Sequence, residues 1–399
     1  MKKSPLVTGL VSLLLLPAGC VSATADPVPV RDIKAASQAL QGATLRDVER
    51  FQPKVAIGSQ CVPAEFEHPA SSPGPKLTAA LAKAQEYSEA QKGIGLMVLK
   101  DGKVLLEQYI DDASAETVTD SYSMHKSLFA LVYGIALSEG IVGSLNETTG
   151  DHIREWRNDP RGRITLRQLL QMESGLKLYS FQDAGTKSME LLLAADINAV
   201  ALEHPLAEAP GSEFRYNNAN SQVAGIVLER ALRKAGHAGY AEYLEKKLWC
   251  PSGNDKAEIW FDREDGSPRY YSGMFTTVRN WARIGELVRN QGRVGNRQIV
   301  PQKWITEMAK PAATNPNYGL HVWLGSPHVA KRRYSRQNPL SVSHGAPYRT
   351  DDVLFFDGFG GQRVYVVPSA GLTIVRTSQI NMDYDDSVIV NLILDGLDS

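Results

Sequence analysis

The sequence predicts an α+β fold (an α/β sandwich). One antiparallel sheet is built from both chain ends, flanked by helices, and a mainly helical domain is inserted. Three patterns predict it: a hairpin signal around residue 101, a helical middle over 145–270, and β-rich segments from 318 to 377.

The elements follow in chain order. Residues 26–75 carry seven prolines and read as a linker and irregular N-terminal extension. Residues 77–91 are Ala-rich with helical periodicity. Ile94–Leu99 and Val104–Tyr109 flank Lys100-Asp101-Gly102-Lys103, and apolar runs around Asp-Gly predict a hairpin. Ser123–Glu139 is apolar on most faces, which predicts a central buried helix ended by Gly140. Further helices are expected at Leu166–Met172, Ser221–Lys234, Tyr240–Leu248, Trp281–Asn290 and Lys303–Met308. Tyr318–Leu324, Val353–Phe356, Arg363–Val367 and Leu372–Thr377 read as strands, and Val388–Leu397 closes as a helix.

Composition excludes several classes. Of the 399 residues, 43% are hydrophobic and 22% charged, so the bulk of the chain is globular. Lys+Arg numbers 43 against 44 for Asp+Glu, which leaves no global field for nucleic acid. Met1-Lys2-Lys3 and the apolar stretch Leu6–Leu16 read as an export leader, too short to span a bilayer. Two cleavage sites compete. Pro17-Ala18-Gly19-Cys20 resembles a lipobox, a signal of residues 1–19 that would leave Cys20 lipidated and anchored to membrane; Ala23-Thr24-Ala25 would end a leader of residues 1–25. Either predicts a periplasmic or cell-envelope protein. Cys61 and Cys250 then remain, as a disulfide or as two buried thiols.

No G-x-S-x-G elbow, H-E-x-x-H or P-loop is present, no histidines sit at a metal spacing, and no cofactor is implied. Ser-x-x-Lys occurs twice. Ser174-Gly175-Leu176-Lys177 follows a helix, with Gly175 as its cap, so Lys177 would not share a face with Ser174. Ser123-Met124-His125-Lys126 opens the buried helix, where i and i+3 lie one turn apart. A serine needs a base to be a nucleophile, and a buried lysine loses its proton more readily. The plainer alternative is a capping serine with a snorkelling lysine. Tyr216-Asn217-Asn218 is the one Tyr-x-Asn, in a polar loop before a helix. A phenol near a lysine ammonium can titrate below its free value and shuttle a proton, and an amide there can hold a carbonyl. The alternative is an Asn-rich turn capping the helix.

These motifs resemble the serine β-lactamase and penicillin-binding-protein superfamily, in the branch of class C β-lactamases, family VIII esterases and 6-aminohexanoate-dimer hydrolases. Residues 163–176, Pro210-Gly211 through Asn218, and Gly273–Ala282 followed by Gly285 carry the same likeness. The resemblance implies a β-lactamase/transpeptidase-like domain over 76–399, with a helical subdomain at about 140–270. It implies Ser123 as nucleophile, Lys126 as its partner, Tyr216 as catalytic tyrosine and Asn218 as substrate amide. The oxyanion hole would be the Ser123 N–H with one from an edge strand. The family's Lys-Thr-Gly strand is replaced by Phe356-Asp357-Gly358-Phe359-Gly360-Gly361-Gln362, which places the second donor at Phe359 between Gly358 and Gly360.

Without a cation in that motif, an ester or linear amide is the expected small-molecule substrate. Arg349 or His344 could substitute for the missing cation. Tyr179 and Asp183 line the pocket or lie on the surface. A β-lactamase or D,D-peptidase, and a non-catalytic envelope binding protein, stand as alternatives. The oligomeric state is left open.

Overall fold

The structure is a computed structural model and describes residues 32–180, 186–336 and 340–397. The expected leader, with Cys20, and Asp183 lie outside the described residues. A six-stranded antiparallel sheet runs Lys103–Tyr109, Gly93–Lys100, Leu372–Ser378, Gln362–Val367, Leu354–Gly358, Trp323–Leu324. Both chain ends therefore meet in one sheet. The hairpin turns at Asp101 and Gly102, both at positive φ. Val367 pairs with Leu372 across the next turn, and Ile374 pairs with Val98 across the junction between the two ends.

Period-2 alternation assigns each strand residue to a face. Leu96, Val98, Phe355, Tyr365, Val367 and Ile374 point to one core, with Leu81 and Ala84 of helix Pro75–Ala90 and Ile389 and Ile393 of helix Asp386–Leu397. Met97, Leu99, Phe356, Val364, Val366 and Val375 point to the other, against Trp281 of helix Val278–Arg289 and Phe129 of helix Met124–Ser138. A sheet covered on both faces explains why these strands read as near-continuous apolar runs. Gly285 lets its helix approach: a Cβ there would lie 2.5 Å from Thr373 Cγ2.

The structure corrects several expectations. Residues 54–57, expected to be irregular, form a strand. It pairs with Ala257–Trp260 in a second antiparallel sheet completed by Met274–Thr276 and Thr119–Asp120. Cys61 and Cys250 are joined in a disulfide beside this sheet. Of the strand expected over Tyr318–Leu324, only Trp323–Leu324 forms, because its partner strand pairs there through Leu354 and Phe355 alone. The helix expected from Ser221 begins at Asn218, capped by Asn217, whose Oδ1 accepts from the Ala219 N–H at 3.1 Å. The helix at Leu166 ends at Leu170, short of Met172, which has φ +61°.

The helix Met124–Ser138 runs through the middle of the molecule, and its residues from Met124 to Ala136 are all buried. His125 is among them. Its Nδ1 lies 2.8 Å from the Ser272 carbonyl and its Nε2 3.0 Å from the Tyr240 hydroxyl. Burial holds its pKa down at about 4. The unfolded chain therefore binds the proton that folding excludes, and stability is lost as pH falls from about 6.5 toward that value. His125→Asn is expected to remove this dependence. Between pH 6 and 4.5 the unfolding free energy of wild type should fall by about 1.2 kcal/mol per pH unit more than that of the variant. Urea denaturation at each pH checks it, and parallel curves would contradict it.

Candidate active site

Three segments converge at the N-terminal end of the central helix. The first is the approach to Ser123. Strand Thr119–Asp120 ends in a tight turn in which Tyr122 adopts φ +46°, a conformation a non-glycine residue enters only when its surroundings impose it. The Asp120 carboxylate accepts the Tyr122 N–H at 2.9 Å, and the Ser121 N–H donates to the Met274 carbonyl at 2.9 Å. Ser123 sits at the N-cap position, half-buried, yet its hydroxyl makes no capping bond. That disposes of the capping-serine alternative.

Lys126 stands one turn along. Its Nζ is 2.8 Å from Ser123 Oγ and 3.0 Å from the Tyr271 carbonyl. The residue is 1% exposed. Burial drives its pKa well below the ordinary lysine range, and the Asp357 charge offsets only part of that. A neutral amine aimed at a hydroxyl is a base rather than an ion-pair partner.

The second segment carries Tyr216. Its phenol hydrogen-bonds Ser123, and its ring lies under Lys126 Nζ at 4.7 Å. It stacks on Trp323 at 5.7 Å with Tyr334 at 5.2 Å, and its N–H donates to the Tyr334 carbonyl at 2.9 Å. The expectation of a lowered phenol pKa is overturned. Burial, then the Asp357 charge, push Tyr216 well above the usual tyrosine range, and the Ser123 bond only partly opposes them. Burial thus favours the neutral form of both lysine and phenol. Asn218 opens the following helix, half-buried.

The third segment is the end of strand Leu354–Gly358. Gly358 lies against the Ser121–Tyr122 turn, where a Cβ would come 2.5 Å from the Ser121 carbonyl oxygen. The Phe359 ring meets Tyr122 edge-on at 5.9 Å. Gly360 and Gly361, at φ +77° and +98°, turn the chain into strand Gln362–Val367. The N–H groups of Ser123 and Phe359 have no acceptor among the described residues.

Behind this turn lies a buried ionic cluster invisible in the motif. Asp357 Oδ1 is 3.0 Å from Arg332 and 2.6 Å from Arg363, and Asp386 is 2.9 Å and 2.7 Å from the same two guanidinium groups. All four side chains are at most 3% exposed. The Tyr334 hydroxyl donates to Asp357 at 2.8 Å. Burial pushes the Asp386 carboxyl up, but Arg363 and Arg332 outweigh it and hold it below the usual carboxylate range. Two cations face two anions, so the cluster has no charge to spare.

The structure therefore gathers Ser123, Lys126, Tyr216, Gly358 and Phe359. It does not bring in the proposed substitute cations. Arg349 pairs with Asp395 at 2.7 Å, and His344 is buried between His328 and Tyr348. Tyr179 packs edge-on against His204. Ser174 bonds the Asn220 side chain and accepts the Leu176 N–H, while Lys177 is exposed, so the second Ser-x-x-Lys is a turn. Sequence reasoning missed Tyr122, Arg332, Arg363, Tyr334 and Trp323. No spacing signals them, since they meet through pairing of distant strands.

A family model described as Beta-lactamase matches residues 78–391, most of the chain. The chain belongs to the beta-lactamase family. Its fold is similar to that of a Bacillus anthracis protein assigned as a 6-aminohexanoate-dimer hydrolase, with TM-score 0.68, 19% identity, and coverage of 88% of this chain and 92% of that one. A family VIII carboxylesterase aligns with TM-score 0.60 at 16% identity, over 84% of this chain and 99% of its own. A penicillin-binding-protein homologue from Caulobacter crescentus gives TM-score 0.61 at 14% identity, over 82% and 99%. At these identities the likeness shows the fold alone. Protein flp of Staphylococcus aureus strain MW2 is 26% identical over 165 residues, 38% of this chain and 32% of that protein. The chain thus spans about a third of the length of the curated relatives it matches.

The close approach of Gly358 to the Ser121–Tyr122 turn yields a stability prediction. Gly358→Ala would set its new methyl against backbone on one side and Gln362 at 2.6 Å on the other. The variant should lose about 1–3 kcal/mol of unfolding free energy, measured in urea. A loss within error of zero would mean the two segments are not tightly apposed.

Proposed function

We propose that this beta-lactamase-family protein is a serine hydrolase that cleaves an ester or a linear amide through an acyl-enzyme on Ser123. The observation that carries this is the buried Lys126 amine 2.8 Å from the Ser123 hydroxyl. Binding alone needs no such group, and burying a lysine costs stability unless its neutral form is used.

Ser123 Oγ attacks the carbonyl carbon as its proton passes to Lys126 Nζ. The carbonyl oxygen becomes an oxyanion between the N–H groups of Ser123 and Phe359. Collapse breaks the bond to the leaving group, which takes the phenolic proton of Tyr216, and the Lys126 ammonium returns a proton to the phenolate. Water then attacks the acyl-enzyme, and its proton restores the Ser123 hydroxyl by the same relay. Asn218, at the start of the following helix, is assigned by resemblance to the substrate carbonyl. Lys126 must be neutral at the start, so kcat/KM should fall as pH drops through its lowered pKa.

The substrate reading rests on charge. β-Lactams and cell-wall peptides carry a carboxylate, whereas Arg332 and Arg363 are already matched by Asp357 and Asp386. A neutral acyl group suits the half-buried aromatic rings of Tyr122 and Phe359 beside Ser123. We also propose export to the cell envelope, supported by the leader-like residues 1–25 and by an intact disulfide pairing.

Hydrolysis of p-nitrophenyl butyrate by wild type, Ser123→Ala and Lys126→Ala tests the reading. Wild type should turn over and both variants should lose at least about 10³-fold in kcat while keeping their fold by circular dichroism. Retained turnover in either would refute the mechanism. Turnover of a chromogenic cephalosporin comparable to that of the ester would favour the β-lactamase alternative. Tyr216→Phe should lose about 10²–10⁴-fold at neutral pH, and a variant keeping most of its rate would remove Tyr216 from proton transfer.

A further inference from the structure

Arg363 is 1% exposed and does more than balance charge. Its Nη1 donates to the Gly358 carbonyl at 2.9 Å and to the Gln362 carbonyl at 2.8 Å, while Nε is held by Asp386 at 2.7 Å. Gly358 and Gln362 are opposite each other across the turn, so this one guanidinium ties both legs together.

The Gly358 carbonyl belongs to the same peptide unit as the Phe359 N–H. A trans peptide points its C=O and N–H in opposite directions, and cis bonds among the described residues occur only before Pro53 and Pro327. Arg363 lies on strand Gln362–Val367 and draws the Gly358 carbonyl toward that strand. The Phe359 N–H is thereby sent to the opposite edge. The neighbour on that edge, Trp323–Leu324, pairs only with Leu354 and Phe355 and has ended before Gly358. What lies beside Gly358 instead is the Ser121–Tyr122 turn leading into the nucleophile. Gly360 and Gly361, both in the left-handed region, carry the turn, whose next carbonyls are held by Gln362 (Phe359), by Asn381 and Ser378 (Gly360) and by Arg376 (Gly361), while the Gly358 carbonyl is held by Arg363.

We propose that Arg363 is a positioning residue for the oxyanion hole: by holding the Gly358 carbonyl it fixes the Phe359 N–H toward the tetrahedral oxyanion formed on Ser123. The proposal rests on the hydrolase reading above. Asp357 and Asp386 set the guanidinium in place from two sides, and Tyr334 links the same cluster to Tyr216 through its hydroxyl on Asp357 and its carbonyl on the Tyr216 N–H. The cluster thus braces the oxyanion donor and the tyrosine together. Such a donor acts on the transition state and leaves substrate affinity alone, and an oxyanion donor is worth about 10²–10³ in kcat.

The test compares wild type with Arg363→Lys, which keeps the charge opposite Asp357 and Asp386 but loses the fork. Three quantities are read with p-nitrophenyl butyrate and butylboronic acid: kcat, KM, and the boronic acid inhibition constant, whose serine adduct carries the tetrahedral anion. The expected result is kcat down about 10–100-fold, inhibition weakened by a similar factor, KM within about threefold, and an unchanged circular dichroism spectrum. A folded variant with wild-type kcat overturns the proposal and leaves the hydrolase reading standing. So does a fall in kcat with boronic acid inhibition untouched, because a merely structural role would produce it. Wild type inert toward the ester, and unlabelled at Ser123 by a fluorophosphonate, overturns the reading and the proposal together. Should Arg363→Lys fail to fold, a crystal structure of the wild-type boronic acid adduct decides. An adduct oxygen bonded by Phe359 N–H, with the Gly358 carbonyl on Arg363, supports the proposal; a Gly358 peptide turned away from Arg363 overturns it.

Discussion

The constraint on which this site depends is the desolvation of one amine. Lys126 is carried into the interior by a mostly apolar helix that is buried from Met124 to Ala136, and no carboxylate contacts its nitrogen among the described residues. Only a hydroxyl and a backbone carbonyl lie within hydrogen-bond reach. A charged ammonium there would be uncompensated, so the neutral form is favoured. The same burial raises the Tyr216 phenol, because the form it penalises is the anion. One physical cause thus shifts both partners in opposite senses, lowering the lysine pKa and raising that of the tyrosine.

Nearby charge is arranged so as not to disturb this. Asp357 lies close enough to favour protonated lysine and to oppose phenolate. An unpaired carboxylate would undo the lysine's shift. Arg332 and Arg363 neutralise it, Asp386 balances them in turn, and Arg332 lies 4.2 Å over the Trp323 ring that stacks on Tyr216. Breaking one member of a buried ionic cluster leaves the others unpaired, which costs more than the cluster gains by forming. The value of such a group lies in fixing geometry, and here it spans the two segments that face Ser123.

What could be read in the sequence follows from which contacts are local. Ser123 and Lys126 are one helical turn apart, so their meeting is set by helix geometry and the apolar run around them. The hairpin at Asp101-Gly102 and the alternating C-terminal strands were equally legible, since both patterns are local. Tyr216 stands out as the one Tyr-x-Asn, but its pairing with Ser123, like the position of Phe359, comes by resemblance, because nothing in their own segments says which helix they face. The Arg332, Asp357, Arg363 and Asp386 cluster was not legible. Arg332 lies in an insertion, Asp357 lies in the Phe356–Gln362 segment with no spacing that marks a role, and only strand pairing joins them. The phenol pKa runs opposite to the expectation for a related reason: a charged lysine would lower it, whereas burial raises it. Strand Lys54–Ile57 escaped notice because its partner, Ala257–Trp260, lies about 200 residues on.

The account stands or falls on Lys126 being neutral in the resting protein, and its charge can be observed without any substrate. Lysine labelled with ¹³C at Cε reports protonation by NMR titration, and Lys126→Arg identifies the resonance. One resonance is expected to titrate well below the ordinary lysine value of about 10.5. A Lys126 resonance titrating with the surface lysines would contradict it, and the pairing with Ser123 would then be an ordinary hydrogen bond from an ammonium.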